Sequence, residues 1–293
     1  MNRTFMRSLL LALCLSTPRA MAADISSLWN YSDPEASEKR FRAALVEAGG
    51  DDALILQTQI ARTHGLHRNF QEARRILAEI QEPVSRASPE AQVRYCLELG
   101  RTYASAAHKP EEVTPEDKKK ARSLYTRAFE TARDARLDYL AIDALHMMNT
   151  VDTEPQDQLA WDLKALAFME ASPQAEAKRW EGSLRNNVGY ANFLLGNYDE
   201  ALAQYRLSLA AHERSGSAAN VRIAHWMIAR TLRAQGRTQE AIAIQLRLER
   251  EWDDAGEPDP YVYEELEQLY RQSGESALAE QYAAKLQASR QSH

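Results

Sequence analysis

Three segments of the chain read alike. GYANFLLGNYDEALAQYRLSLA spans 189–210, ARTLRAQGRTQEAIAIQLRLE spans 229–249 and EQLYRQSGESALAEQYAAKLQ spans 267–287. Each is a helical run that reaches a glycine (Gly196, Gly236, Gly274), turns, and opens a second helix with an alanine five residues on (Ala201, Ala241, Ala279). A unit of this size that recurs about every 40 residues cannot bury its apolar face alone, so successive units must stack. The repetition therefore predicts an all-α solenoid of antiparallel helix pairs. An aromatic content of 8% with only 11 glycines and 10 prolines fits helices better than sheets.

Residues 1–22 stand apart from this pattern. Arg3 and Arg7 flank the start of an apolar run centred on LLLALCL, and Ala20-Met21-Ala22 places small residues where a signal peptidase reads them. The run is too short for a membrane span, which needs ~20 apolar residues. The expectation is a cleaved signal peptide, a mature chain from about Ala23, and a periplasmic or secreted protein. Lipidation at Cys14 is disfavoured because Leu13 precedes it where a small residue is required. Loss of Arg3, Arg7 and Arg19 leaves 33 basic against 42 acidic residues, a net charge of −9. That balance argues against nucleic acid or an anionic membrane as the main partner. Cys96 is then the only cysteine, so no intrachain disulfide can form and packing must supply stability.

The remainder divides into a leader with a capping helix, 23–52, and a solenoid, 53–293. Asp33-Pro34 reads as an N-cap followed by proline at the first helical position, and the helix it opens carries Phe41, Ala44 and Leu45 on one face. Leu56, Ile60 and Ala61, then Ala73, Leu77 and Ile80, mark the first pair, which Pro83 ends. Tyr95, Leu99, Gly100 and Tyr103, then Ala121, Tyr125 and Ala128, mark the second, with a proline-bearing charged loop between its helices. In the third pair, Leu140, Ala144, Leu145 and Met148 define one helix. Ala160, Trp161, Leu163 and Ala167 are the apolar residues of the other, whose register can be drawn in two ways a few residues apart. Three further pairs fill 182–288. The six second-helix alanines, Ala73, Ala121, Ala160, Ala201, Ala241 and Ala279, lie 38 to 48 residues apart.

A small residue within the first helix (Ala61, Gly100, Gly189, Ala229), a glycine or short polar residue at the turn, the second-helix alanine and an aromatic four residues later (Tyr125, Tyr205) resemble the tetratricopeptide repeat. GNYDEALAQYRLSLA carries the resemblance most fully, and it extends over about 53–288. It implies a right-handed αα-superhelix of about six helix pairs, with the first helices lining a concave side that binds peptides or proteins. Departures are Glu267 at a small-residue position, and Lys164 and Gln245 in place of the aromatic. Independently of the family, alanine or glycine at facing positions lets helix axes approach at the short end of the 8–10 Å range.

No phosphate loop, nucleophile elbow, zinc-binding helix or paired-cysteine motif occurs. His64 and His67 straddle a turn with nothing to complete a metal site, and Cys96 sits on an apolar stripe as a packed thiol. No cofactor is expected, and the chain reads as a non-enzyme. Aligning the first helices yields a column that follows the small position: Arg62, Arg101, His146, Tyr190, Arg230 and Gln268. One turn on lie Phe193, Arg233 and Arg271, and one turn back lie Asn186 and Trp226. Arg62, Arg101, Asn186, Tyr190, Phe193, Trp226, Arg230 and Arg233 are the candidate partner-binding residues. Two readings stand for the arginines. They recognise carboxylates of an acidic or C-terminal peptide segment, or they pair with acids of neighbouring helices such as Glu98, Asp143 and Glu265. A scaffold of the bacterial cell envelope is the leading expectation. Self-association through the convex face or the array ends, and an envelope enzyme using the 104–120 loop, are the alternatives.

Overall fold

The computed structural model describes residues 25–291. Its order is α1 Ile25–Leu28, α2 Pro34–Glu47, α3 Gly50–Leu66, α4 Phe70–Val84, α5 Pro89–Arg101, α6 Pro115–Asp134, α7 Asp138–Met147, α8 Pro155–Ala171, α9 Glu181–Leu194, α10 Tyr198–Ser215, α11 Ala218–Ala234, α12 Thr238–Asp254, α13 Pro260–Ser273 and α14 Ser276–Gln291. From α3 onward the helices pair in sequence, giving six αα units, and α2 packs on α3 at one end. The first helices also meet one another, α3 with α5, α5 with α7 and α11 with α13, and so share one surface. The proposed signal peptide and Cys14 lie outside the described residues. Among the described residues, no helix is long and apolar enough to cross a membrane.

Local chemistry fixes the helix starts. Asp33 accepts from the Ala36 N–H at 2.9 Å with Pro34 following, and Thr114 and Asp117 cap α6 reciprocally. The turns between paired helices need a left-handed residue at C′. Gly196, Gly236 and Gly274 supply it at φ 78°, 76° and 82°, while Arg68 adopts it at 61° in the first pair and Arg136 at 55° in the connection from α6 to α7.

Close helix approach takes the form expected from the small residues. A Cβ on Gly100 would lie 2.5 Å from the ring of Tyr125, and one on Gly189 2.8 Å from that of Tyr205. Both tyrosines are wholly buried, each against the glycine of the facing helix. Leu140, Ala144, Leu145 and Met148 are buried as expected. Cys96 is buried, and burial pushes its thiol up.

The third pair departs from the expected register. Ala160, Leu163 and Ala167 are exposed, Leu163 by 47%, and α8 instead buries Asp162, Ala165, Leu166 and Met169. Pro155 starts α8, so its eighth residue, which is Tyr205 in α10 and Gln245 in α12, is Asp162. Alanines and apolar residues encircle α8, and this hid the buried face from periodicity. Trp161, half-buried, spends its indole N–H on Asp152 at 2.9 Å. The 104–120 loop is shorter than expected, since α6 begins at Pro115. It is fastened to the start of α4 by His108 stacked on Phe70 at 3.8 Å and by Arg68 on both carboxylate oxygens of Glu112 at 2.7 Å.

Candidate functional site: the first-helix surface

The expected column separates into two environments. In the N-terminal half the arginines are engaged within the chain. Arg101 is almost buried and bridges Glu98, at 2.6 Å, to Asp143 on α7. Burial works against both charges. Mutual attraction, with Glu98 and Arg62 adding to it, nevertheless holds the Arg101 guanidinium above and the Asp143 carboxyl below their usual ranges. Arg62 reaches Glu98 at 3.2 Å, and its guanidinium lies 5.6 Å from the ring of Trp29 and 5.7 Å from that of Tyr31. Those rings stack on each other at 4.7 Å, and Trp29 is pinned by its N–H to Gln59 Oε1 at 3.0 Å. In the C-terminal half Arg233 makes a bidentate pair with Glu265, at 2.8 and 2.9 Å. Arg62, Arg101 and Arg233 thus follow the intramolecular reading rather than standing as open donors.

Arg230 differs. Its guanidinium lies 4.6 Å from the Phe193 ring and 5.4 Å from the Trp226 ring, and among the described residues no carboxylate lies within ion-pair distance of it. Beside it, the buried hydroxyl of Tyr205 lacks a hydrogen-bond partner, whereas its counterpart on Tyr125 donates to Ala104 O at 2.5 Å. The difference follows from helix length. Helix α5 ends at Arg101 and frees the Ala104 carbonyl, while α9 continues to Leu194. Tyr190 is 40% exposed, and Asn186 and Phe193 are half-buried on the same helix. His146, also in the column, turns inward. It is hydrogen-bonded to Asn187 at 3.1 Å and packed against Trp180, and burial lowers its pKa.

The structure adds a feature the column did not reveal. A cavity of about 950 Å³ opens on the first-helix surface of the N-terminal half. The ring pairs Trp29–Tyr31 and Tyr139–Trp180 line it, together with Ser183 of α9 and Asn220 of α11. Ser183, Asn186, Tyr190 and Phe193 recur at spacings of three and four, as do Asn220, Ile223, Trp226, Arg230 and Arg233. Each set is one helix face, so the cavity and the Arg230 platform belong to one continuous surface. At ~1.5 Å rise per residue, Ser183 to Phe193 covers about 15 Å. The sequence pointed to the platform through its aromatics and arginine. The cavity depends on residues 25–31 folding back over α3, and no local pattern announces that.

Comparison with known proteins agrees with this architecture. Residues 180–249 match the tetratricopeptide repeat model. The fold is similar to that of a signal transduction ATPase with numerous domains bearing a tetratricopeptide repeat sensor, from Pyrococcus horikoshii, at 12% identity and a TM-score of 0.66. That match covers 87% of this chain, which spans only 39% of the ATPase. It is also similar to a Rap protein complexed with competence and sporulation factor (15% identity, TM-score 0.55, covering 86% of this chain and 69% of that one). A third likeness is to aspartyl phosphate phosphatase F from Bacillus subtilis (12% identity, TM-score 0.59, covering 89% and 68%). No curated protein sequence matches. Residues 180–249 thus carry the tetratricopeptide repeat signature, and the same helix-pair fold runs to both sides of them.

Proposed function

We propose that this protein is a non-enzymatic scaffold of the bacterial cell envelope that holds an extended segment of a partner protein along its first-helix surface. The observation that carries the reading is the continuity of a 950 Å³ cavity with the Tyr190, Phe193, Trp226 and Arg230 platform. A cavity of that size is at the upper end of what encloses a compact ligand, and its open edge leads onto aromatic faces. Preformed surfaces of this kind bind by avoiding the ordering cost that a flexible site would incur. Arg230, carrying a charge without a carboxylate of its own, takes the acidic or carboxyl-terminal part of the segment. The Rap protein bound to competence and sporulation factor supports a ligand-binding reading for a solenoid of this shape. Export rests on the pattern of residues 1–22.

Site-specific photocross-linking tests the reading. A photoreactive residue at Asn220, which lines the cavity, is compared in cells with one at Leu207, exposed on the second helix α10. A partner adduct formed from position 220 and absent from 207 is the expected result. Adducts from 207 alone would move the interface to the convex face, and adducts between copies of the chain would replace the scaffold with self-association.

A further inference from the structure

The charge on the cavity is opposite to the one the arginine column led us to expect. Six carboxylates line it, those of Glu47, Asp52, Glu90, Glu98, Asp143 and Glu176, against the guanidiniums of Arg62, Arg94 and Arg179. Arg94 pairs with Glu90 at 2.9 Å, Arg62 with Glu98, and Arg101 behind the wall with Glu98 and Asp143. Glu47, Asp52 and Glu176 have no ion-pair partner among the described residues, and only Arg179 opposes them.

A second observation points the same way. Glu98 is 97% buried, yet its Oε2 has no hydrogen-bond donor. A buried carboxylate oxygen left without a donor is costly, and that cost is relieved when a donor arrives. The wall also shows how it accommodates a cation, because the Arg62 guanidinium lies against the Trp29 and Tyr31 rings with a carboxylate at its end. Ring faces and carboxylates together favour cations over neutral or anionic groups. The second ring pair, Tyr139 and Trp180, lines the same cavity as Glu176 and Asp143.

We propose that the cavity receives a positively charged group of the bound segment, a lysine or arginine side chain or a free amino terminus. This rests on the scaffold reading above and adds polarity to it, with the cation in the N-terminal cavity and the anion at Arg230. A bound segment then has one orientation along the groove.

The test is an equilibrium selection with the intact chain and a randomised hexapeptide library, acetylated and amidated, whose retained pool is sequenced by mass spectrometry. Lysine and arginine are expected to be enriched at least threefold. The enrichment should vanish in the Asp52→Asn/Glu176→Gln variant and survive in Leu207→Ala, on the second helix α10. The two substituted carboxylates are unpaired at the cavity mouth, so an unchanged thermal melt is expected of the variant. A Glu47→Gln variant, at an exposed and unpaired carboxylate of the same cavity, gives a second reading if the first melts early. A parallel library with free amino termini distinguishes the two sources of charge, since an amino-terminal cation would raise total retention and reduce side-chain enrichment. Absence of basic enrichment, or enrichment untouched by Asp52→Asn/Glu176→Gln, overturns the proposal while leaving the scaffold standing. Retention of no peptide, together with absence of groove adducts from position 220, overturns both.

Discussion

Arg101 and Arg230 occupy the same place in their repeats, one residue beyond the small position of a first helix, and meet different fates. Arg101 finds Glu98 three residues earlier and Asp143 on the next first helix. For Arg230 the residue three earlier is Met227, and Glu265 on the next first helix is taken by Arg233. One half of the solenoid has closed its arginines into a network that holds the array together, and the other has left one arginine on an aromatic platform. The same residue type in the same register is locked into an ion-pair network in the second pair and left on aromatic rings in the fifth. What decides is whether a carboxylate stands at the two neighbouring positions.

The sharpest way to break this comparison is to remove each arginine in turn. Arg101→Ala leaves Glu98 and Asp143 buried without their main partner and should destabilise the fold by about 3–5 kcal/mol in denaturant titration. Arg230→Ala removes half-buried cation–ring contacts worth about 0.5–2 kcal/mol, leaves no buried carboxylate without a partner, and should melt closer to the parent. Equal losses would dissolve the distinction between the two halves.

Next in size is a titration at the centre of the chain. Asp162 sits where the neighbouring repeat carries a tyrosine plug. Burial pushes its carboxyl up to about 6, against the donors of Asn149 and Asn187. A folded-state value raised above the unfolded one contributes stability that is complete below about pH 4 and is lost as pH rises through about 6. Over roughly two pKa steps this amounts to about 2–3 kcal/mol. Asp162→Asn should remove the acid-side gain and flatten stability between pH 4 and 6.5, read as melting temperature against pH. An unchanged slope would place the titration elsewhere.

Comparable in magnitude is Ala201→Leu, expected to overpack the wholly buried contact between α9 and α10 and cost about 1–3 kcal/mol. The smallest effect concerns the turns. Arg136 holds a left-handed φ of 55° in the connection between the second and third pairs, where the two later connections use Gly216 and Gly256. Arg136→Gly should therefore raise stability by about 0.5–1 kcal/mol, since a side chain in that conformation is strained. A loss would mean that Arg136 makes compensating contacts.

These same residues explain how much could be read from the chain alone. The last three pairs were plain because glycine marks each turn and alanine each close approach. The third was harder because no glycine marks the turn between α7 and α8. The register of α8 was lost because its plug is Asp162, an acid that hydropathy assigns to solvent and that is buried only with Asn149 and Asn187 beside it. The candidate column was legible as a spacing. Which arginines were free was not, because Glu98 lies 36 residues from Arg62 and Asp143 lies 42 from Arg101. The cavity needs residues 25–31 laid across α3, a tertiary contact that no periodicity encodes.

The central claim is that a partner segment lies along the first-helix surface, and amide hydrogen exchange with and without the selected peptide pool measures it most directly. Protection concentrated in α3, α9 and α11, with α10, α12 and α14 unchanged, is the result the account predicts. Protection confined to α10, α12 and α14 would contradict it.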